Sequence, residues 1–171
     1  MKTKNRLFVI ILFVVSSCLL CSCGNLSRSK AKNLILQQLN SDQSKPIWTR
    51  ESLIVLDFPT YFGRIETSSP FKQETEMLVN KGYITMSGRN VFVLNPRIKP
   101  YVTMDTGCNI TIGNAKDVNI TGISGDGNYR EVVYDIIYTL NPLGEDISYS
   151  RGLSRQKSIR FRKYDDGWRI D

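Results

Sequence analysis

The sequence predicts an α+β fold: N-terminal helices with a small hairpin, then a C-terminal antiparallel sheet of about four strands. Three observations carry this. Apolar residues recur at three- and four-residue steps between residues 30 and 40 and again between 71 and 80, the spacing of helices with one buried side. From residue 118 onward the spacing becomes two, as in half-buried strands. Gly-containing turns, one of them Asp166-Gly167, separate the period-two runs.

Taken in order, Gly24 to Ser29 is short and polar and reads as a tether, with Cys23 at its head. Ala31, Leu34, Ile35, Gln38 and Leu39 share one side of a helix over about Lys30 to Asn40, which the polar cluster Asn40 to Pro46 ends. Ile47 to Phe58 fits either a buried strand or a short helix, stopped by Pro59. Phe71 to Asn80 is a second helix, with Pro70 at its start, Lys81-Gly82 at its end, and Phe71, Thr75, Leu78 and Val79 inward. Tyr83–Met86 and Val91–Leu94 flank Ser87-Gly88-Arg89-Asn90 as a hairpin. Val118–Ile123, Tyr129–Leu140, Lys157–Tyr164 and Trp168–Ile170 are the strands of the sheet. Along the second, Val132, Tyr134, Ile136, Tyr138 and Leu140 face one way; along the third, Ile159 and Phe161 face inward. The chain thus divides into a helical and hairpin lobe, 30–100, and a β lobe, 101–171, built as two lobes or one domain.

Composition narrows function. The 171 residues include 23 Lys+Arg, 16 Asp+Glu, four cysteines and no histidine. Without histidine there is no Ser-His-Asp or Cys-His nucleophile, and no His-based zinc site. Residues 1–22 read as a targeting segment: Lys2, Lys4 and Arg6 precede the apolar run Leu7 to Val15. As an uncleaved span, Leu7 to Leu20 would reach about 21 Å as helix, short of a hydrocarbon core of about 30 Å. Loss of those three cations lowers the formal charge from +7 to +4, so much of the basicity belongs to the leader, and a nucleic-acid partner is not expected.

The stretch Leu20-Cys21-Ser22-Cys23 resembles the lipobox of bacterial lipoproteins. The resemblance implies that the Cys23 thiol is joined to diacylglycerol, that the bond before it is cut, and that the new amine is acylated, for example with palmitate. Val15-Ser16-Ser17-Cys18 also fits, so Cys18 is the alternative acceptor. With Gly rather than Asp at position 24, the resemblance favours the outer membrane over the inner. The expected partner is then the membrane, through the lipid, together with an envelope protein or anionic lipid. If Cys23 is acylated, Cys108 is left without an intramolecular disulfide partner.

Other motifs carry less. The helix and hairpin over 71–94 resemble a winged-helix fragment, with Arg89 at the turn and Arg97 and Lys99 beyond. The C-terminal strands, closing on Tyr164-Asp165-Asp166-Gly167-Trp168, are similar to the last hairpin of cystatin-like and nuclear-transport-factor-like envelope domains, which implies a binding or assembly module and no catalytic residue. Asp165 and Asp166 are adjacent, and on a strand would face apart, so they make a turn and not an acid–base pair. Gly125-Asp126-Gly127-Asn128 lacks the ligand spacing of a calcium loop. Trp48, Phe58, Tyr61 and Phe62 are expected in the core, or lining a groove. Arg155, Lys157, Arg160, Arg162 and Lys163 form the candidate binding row, for anionic headgroups or an acidic partner. No catalytic residue, metal or cofactor is expected. The reading is a non-enzymatic envelope lipoprotein that binds or scaffolds another component. The alternatives are a carboxylate-dependent enzyme on envelope material, or an exclusion or immunity lipoprotein of phage or plasmid type.

Overall fold

The computed structural model describes residues 24–41, 45–61 and 64–171. Its spine is a 17-residue strand, β7 (Cys108–Ser124), far longer than the run expected over 118–123. Three residues of β7 bulge out of register: Ile112 against β1 (Leu53–Phe58), and Lys116 and Thr121 against β8 (Tyr129–Leu140). Each bulge switches which side the next residues face and sharpens the twist, so the long strand bends and its alternation is scrambled in the sequence.

The large sheet runs β1-β7-β8-β9-β10, with β9 spanning Ser154–Tyr164 and β10 Gly167–Ile170. A sixth strand, β6 (Val102–Met104), pairs with the first residues of β7. Every pairing is antiparallel. The expected β8 side is observed: Val132, Tyr134, Ile136 and Tyr138 are buried. Helix α1 (Arg28–Ser41) lies over β7 and β10 and buries Ala31, Ile35 and Leu39. The Arg28 guanidinium donates to Ile120 O at 2.7 Å, and Lys32 Nζ meets Asp117 at 2.7 Å. That ammonium, with the Val118 N–H, holds the Asp117 carboxyl below its ordinary range. Within the segment read as a tether, Leu26 is 6% exposed and joins the core.

The winged-helix expectation is corrected. Helix α2 (Lys72–Asn80) and the hairpin β4 (Ile84–Met86) and β5 (Val91–Leu94) form as read. However, β5 also pairs with β3 (Arg64–Glu66), and β3 with β2 (Thr60–Tyr61). The hairpin is therefore the end of a four-stranded sheet, β2-β3-β5-β4, and α1 packs on the other sheet instead of beside α2. The ambiguous Ile47–Phe58 segment resolves into a 3₁₀ turn at Ile47–Thr49 followed by β1. The expected sheet of about four strands becomes six, because β1 and β6 take opposite edges of the early part of β7.

One core serves both sheets. Phe58 of β1 sits edge-on to Phe92 of β5, centroids 5.1 Å apart, and 5.7 Å from Phe71 at the start of α2. Offset and edge-on ring pairs of this kind add about 0.5–1.5 kcal/mol beyond area burial. Between β6 and β8, one edge of β7 would present open carbonyls. Asn141 closes it: its side-chain amide donates to Thr111 O at 2.8 Å and its backbone N–H to Ile112 O at 3.0 Å. The same Asn caps helix α3 (Pro142–Asp146), its Oδ1 accepting from Gly144 N at 2.9 Å. What reads in sequence as a plain Asn-Pro-Leu-Gly break is a capped turn of helix with Pro in its first turn.

Two polar ties join α2 and its C-terminal end to the chain around α3. Asp146 accepts from Lys81 Nζ at 3.1 Å and from the Tyr83 hydroxyl at 2.9 Å. These bonds hold the Asp146 carboxyl below its usual range and push the Tyr83 hydroxyl up. Glu74 of α2, expected on no inner side, is buried and pairs with Arg151.

Candidate binding surfaces

The expected basic row does not lie on one side of the sheet. Residues of β9 alternate, so Arg155, Lys157 and Lys163 share the side of Ile159 and Phe161, while Arg160 and Arg162 share the opposite, solvent side. On the inner side, the Arg155 guanidinium stacks 5.3 Å from the Tyr138 ring and Lys157 Nζ pairs with Glu51 at 2.9 Å. On the outer side, Arg160 is opposite Glu131 in register and Arg162 is opposite Tyr129. Arg162 lies 5.5 Å from both the Tyr129 and Tyr164 rings, and Arg169 lies 5.1 Å from the Tyr164 ring while pairing with Asp166. Tyr129 and Tyr164 remain 45% and 40% exposed. The structure thus brings Arg162 together with Tyr129, Tyr164 and Arg169, three partners outside the expected row, and separates it from Arg155, Lys157 and Lys163. Most of the row is matched by a carboxylate or a ring, which weakens its appeal to a purely anionic partner.

Of a second surface the sequence reading singles out only Arg89, at the hairpin turn. Helix α2 and the β4–β5 turn enclose an open cleft of about 720 Å³. From the helix come Lys72, Glu76, Val79 and Asn80; from the facing side come Thr67, Ser68, Met86, Arg89 and Asn90. The positions follow from local structure. Lys72, Glu76 and Asn80 recur at four-residue steps and so share one side of α2. Gly88, at φ 125°, allows the turn that presents Arg89 and Asn90, with Ser87 N–H donating to Val91 O at 2.8 Å. Thr67 N–H donates to Asn90 O at 2.8 Å and fixes the far rim. Lys72, Glu76 and Arg89 take part in no ion pair among the described residues, and Val79 and Met86 line the same cleft. Such a cleft offers a ligand charge of both signs, amides, hydroxyls and a short apolar contact. The signal in sequence is the i, i+4 polar series on α2 facing a polar turn, which is ordinary for any solvated helix.

The other candidates fall elsewhere. Cys23 and Cys18 lie outside the described residues. Phe58 is in the core and Tyr61 is 63% exposed, so these two do not line a common groove; Phe62 lies outside the described residues. Asp165 and Asp166 form the β9–β10 turn, and Gly125 to Asn128 the β7–β8 turn. No cluster of three or more Cys, Asp or Glu side chains among the described residues could hold a metal. Cys108 is fully buried, and burial, with the nearby Asp57 charge, pushes its thiol up to about 11. A rise of this size lowers its thiolate fraction at pH 8 by about two orders of magnitude. Peptide mapping after alkylation at pH 8 should find Cys108 unmodified in the native protein and modified in urea; labelling at equal rates would refute the burial. The sign of the linkage also follows. The fold favours the neutral thiol, so this contribution is whole below about pH 8.5 and is lost as pH rises toward 11.

Compared with known proteins, the chain matches no family model, no curated protein and no solved structure.

Proposed function

We propose that the chain is a bacterial envelope lipoprotein, acylated on Cys23, whose domain binds or scaffolds another envelope component without catalysis. The observation that carries the binding half of this reading is the α2–hairpin cleft, where Lys72, Glu76 and Arg89 stand unpaired among the described side chains. A concave site with convergent polar groups is where a ligand is first sought. The lipobox resemblance carries the anchoring half, and Gly24 favours the outer membrane. A carboxylate-dependent enzyme draws less support from the same cleft: a two-carboxylate hydrolase needs its pair roughly 5–10 Å apart, and the lining holds one carboxylate, Glu76. The exclusion or immunity reading is a question of genomic neighbourhood and shares the same chemistry.

Two measurements test it. Intact mass and N-terminal identity of protein from a membrane fraction should give a chain beginning at Cys23 with added acyl mass, absent in Cys23→Ala. A chain beginning at Met1 without lipid would refute the anchor, and one beginning at Cys18 would move it. A photo-crosslinking amino acid at Asn90 should form a discrete adduct in the envelope that Lys72→Glu with Arg89→Glu reduces at least fivefold, while Gln156 on β9 gives none. No adduct at Asn90 would refute the cleft as the binding site.

A further inference from the structure

The described chain begins at one particular end of the large sheet. A side chain at position 24 would start 3.8 Å from Lys163 Nζ, and two residues later Leu26 is buried. Two hairpin turns of that sheet, residues 125–128 and 165–166, lie at this same end, tied by Lys163 N–H donating to Asn128 O at 2.8 Å, while the β6–β7 turn lies at the other. Tyr129, Arg162, Tyr164 and Arg169 stand here as well, on the outer side. The small sheet and its cleft belong to the other end of β7, where Phe58, opposite Cys108 in register, meets Phe92. At about 3.3 Å per residue β7 traces roughly 50 Å of chain, and although its bulges shorten the direct span, its two ends remain opposite ends of the sheet.

We infer that this end of the sheet rests on the bilayer holding the anchor, with Tyr129, Arg162, Tyr164 and Arg169 in the headgroup layer. The inference rests on acylation of Cys23. That residue is one peptide bond, about 3.8 Å between Cα atoms, from Gly24, so the acyl chains leave beside Lys163 with little slack between lipid and domain. The side chains fit the place. Tyrosine is favoured where one end is apolar and the other wet, and arginine binds phosphate through a planar fork. Both signs of charge are present at this end: Arg130, Arg162, Lys163 and Arg169 stand with Asp126, Asp165 and Asp166, the last paired with Arg169. A near-balanced surface of this kind matches headgroups that carry both phosphate and ammonium, as ethanolamine phospholipids do, better than a purely anionic layer. The orientation also points the cleft away from the bilayer.

The test uses the full acylated protein in vesicles of phosphatidylcholine and phosphatidylethanolamine, with a fluorophore on Asp165→Cys or, as the distant control, on exposed Val93→Cys. Cys108 is buried and stays unlabelled. Headgroup spin-labelled lipid should quench position 165 at least threefold more than position 93, and Arg162→Glu with Arg169→Glu should remove most of that difference. Equal quenching at both positions in protein whose intact mass shows the lipid would overturn the orientation and leave the anchor standing. Protein without acyl mass would overturn both. Contact that appears only when phosphatidylglycerol dominates would overturn the headgroup assignment.

Discussion

Replacing Gly144 with alanine is expected to destabilise the protein by about 2–4 kcal/mol, as large as losing a core side chain. Gly144 is the third residue of α3, with an ordinary helical location and no conformational need for glycine. The cost comes from space. A Cβ there would lie 2.3 Å from Ile112 O and 3.0 Å from a methyl of Leu140. The backbone oxygen cannot swing aside as a flexible side chain would, because Ile112 O accepts the Asn141 N–H that closes the edge of β7. The added methyl therefore pushes α3 off the sheet, and with it Asp146, which holds Lys81 and Tyr83. Urea denaturation of Gly144→Ala should show a lower midpoint with an unchanged slope. Gly122→Ala is the control: its Cβ would meet nothing closer than 3.8 Å, so its midpoint should stay near that of the parent. Equal stability of Gly144→Ala would mean that α3 does not pack against β7 as described.

The reach of the sequence can be seen along β7 and β8. On β8, Val132 to Leu140 alternate without interruption, and their inner side is read correctly because one face is buried from Val132 to Tyr138. On β7, the bulges at Ile112, Lys116 and Thr121 reverse the alternation three times, so only its last stretch looks like a strand. The short strands β2, β3 and β6 hold two or three residues each, too few to show any period, and β2 and β3 turn an expected wing into a sheet. The candidate row on β9 fails for a related reason: the basic residues occupy both odd and even positions, and a strand cannot point both sets the same way. The cleft is a matter of tertiary placement, since nothing in residues 72–80 says that the Arg89 turn will face them.

The second large effect concerns the buried end of α2. The Glu74 side chain is 3% exposed, and one of its oxygens, Oε2, has no hydrogen-bond partner among the described residues. The other is held by Arg151, about half exposed, from the loop after α3. Pairing a buried carboxylate through one oxygen is poor compensation for taking it out of water. Arg151→Ala removes that pairing and should cost about 2–4 kcal/mol, below the upper range for fully buried pairs because solvent reaches the arginine side. The decisive comparison is the double variant Glu74→Leu with Arg151→Ala. If the penalty of Arg151→Ala comes from a stranded charge, removing the charge should recover most of the loss, since an apolar side chain at position 74 would join Leu78 and the adjoining core. Recovery of the denaturation midpoint to within about 1 kcal/mol of the parent supports this account. A double variant as unstable as the single one would show instead that the loop at 148–153 needs Arg151 for its own folding. In that case the contact from Arg151 to Pro70 O, at 3.5 Å, would become the interaction to examine. The pair links the helix that walls the cleft to the large sheet, so the same variants should loosen the cleft first. Hydrogen exchange in α2 should rise in Arg151→Ala before it rises in β8, because the helix is tied to the rest of the fold through few contacts and β8 is paired on both edges.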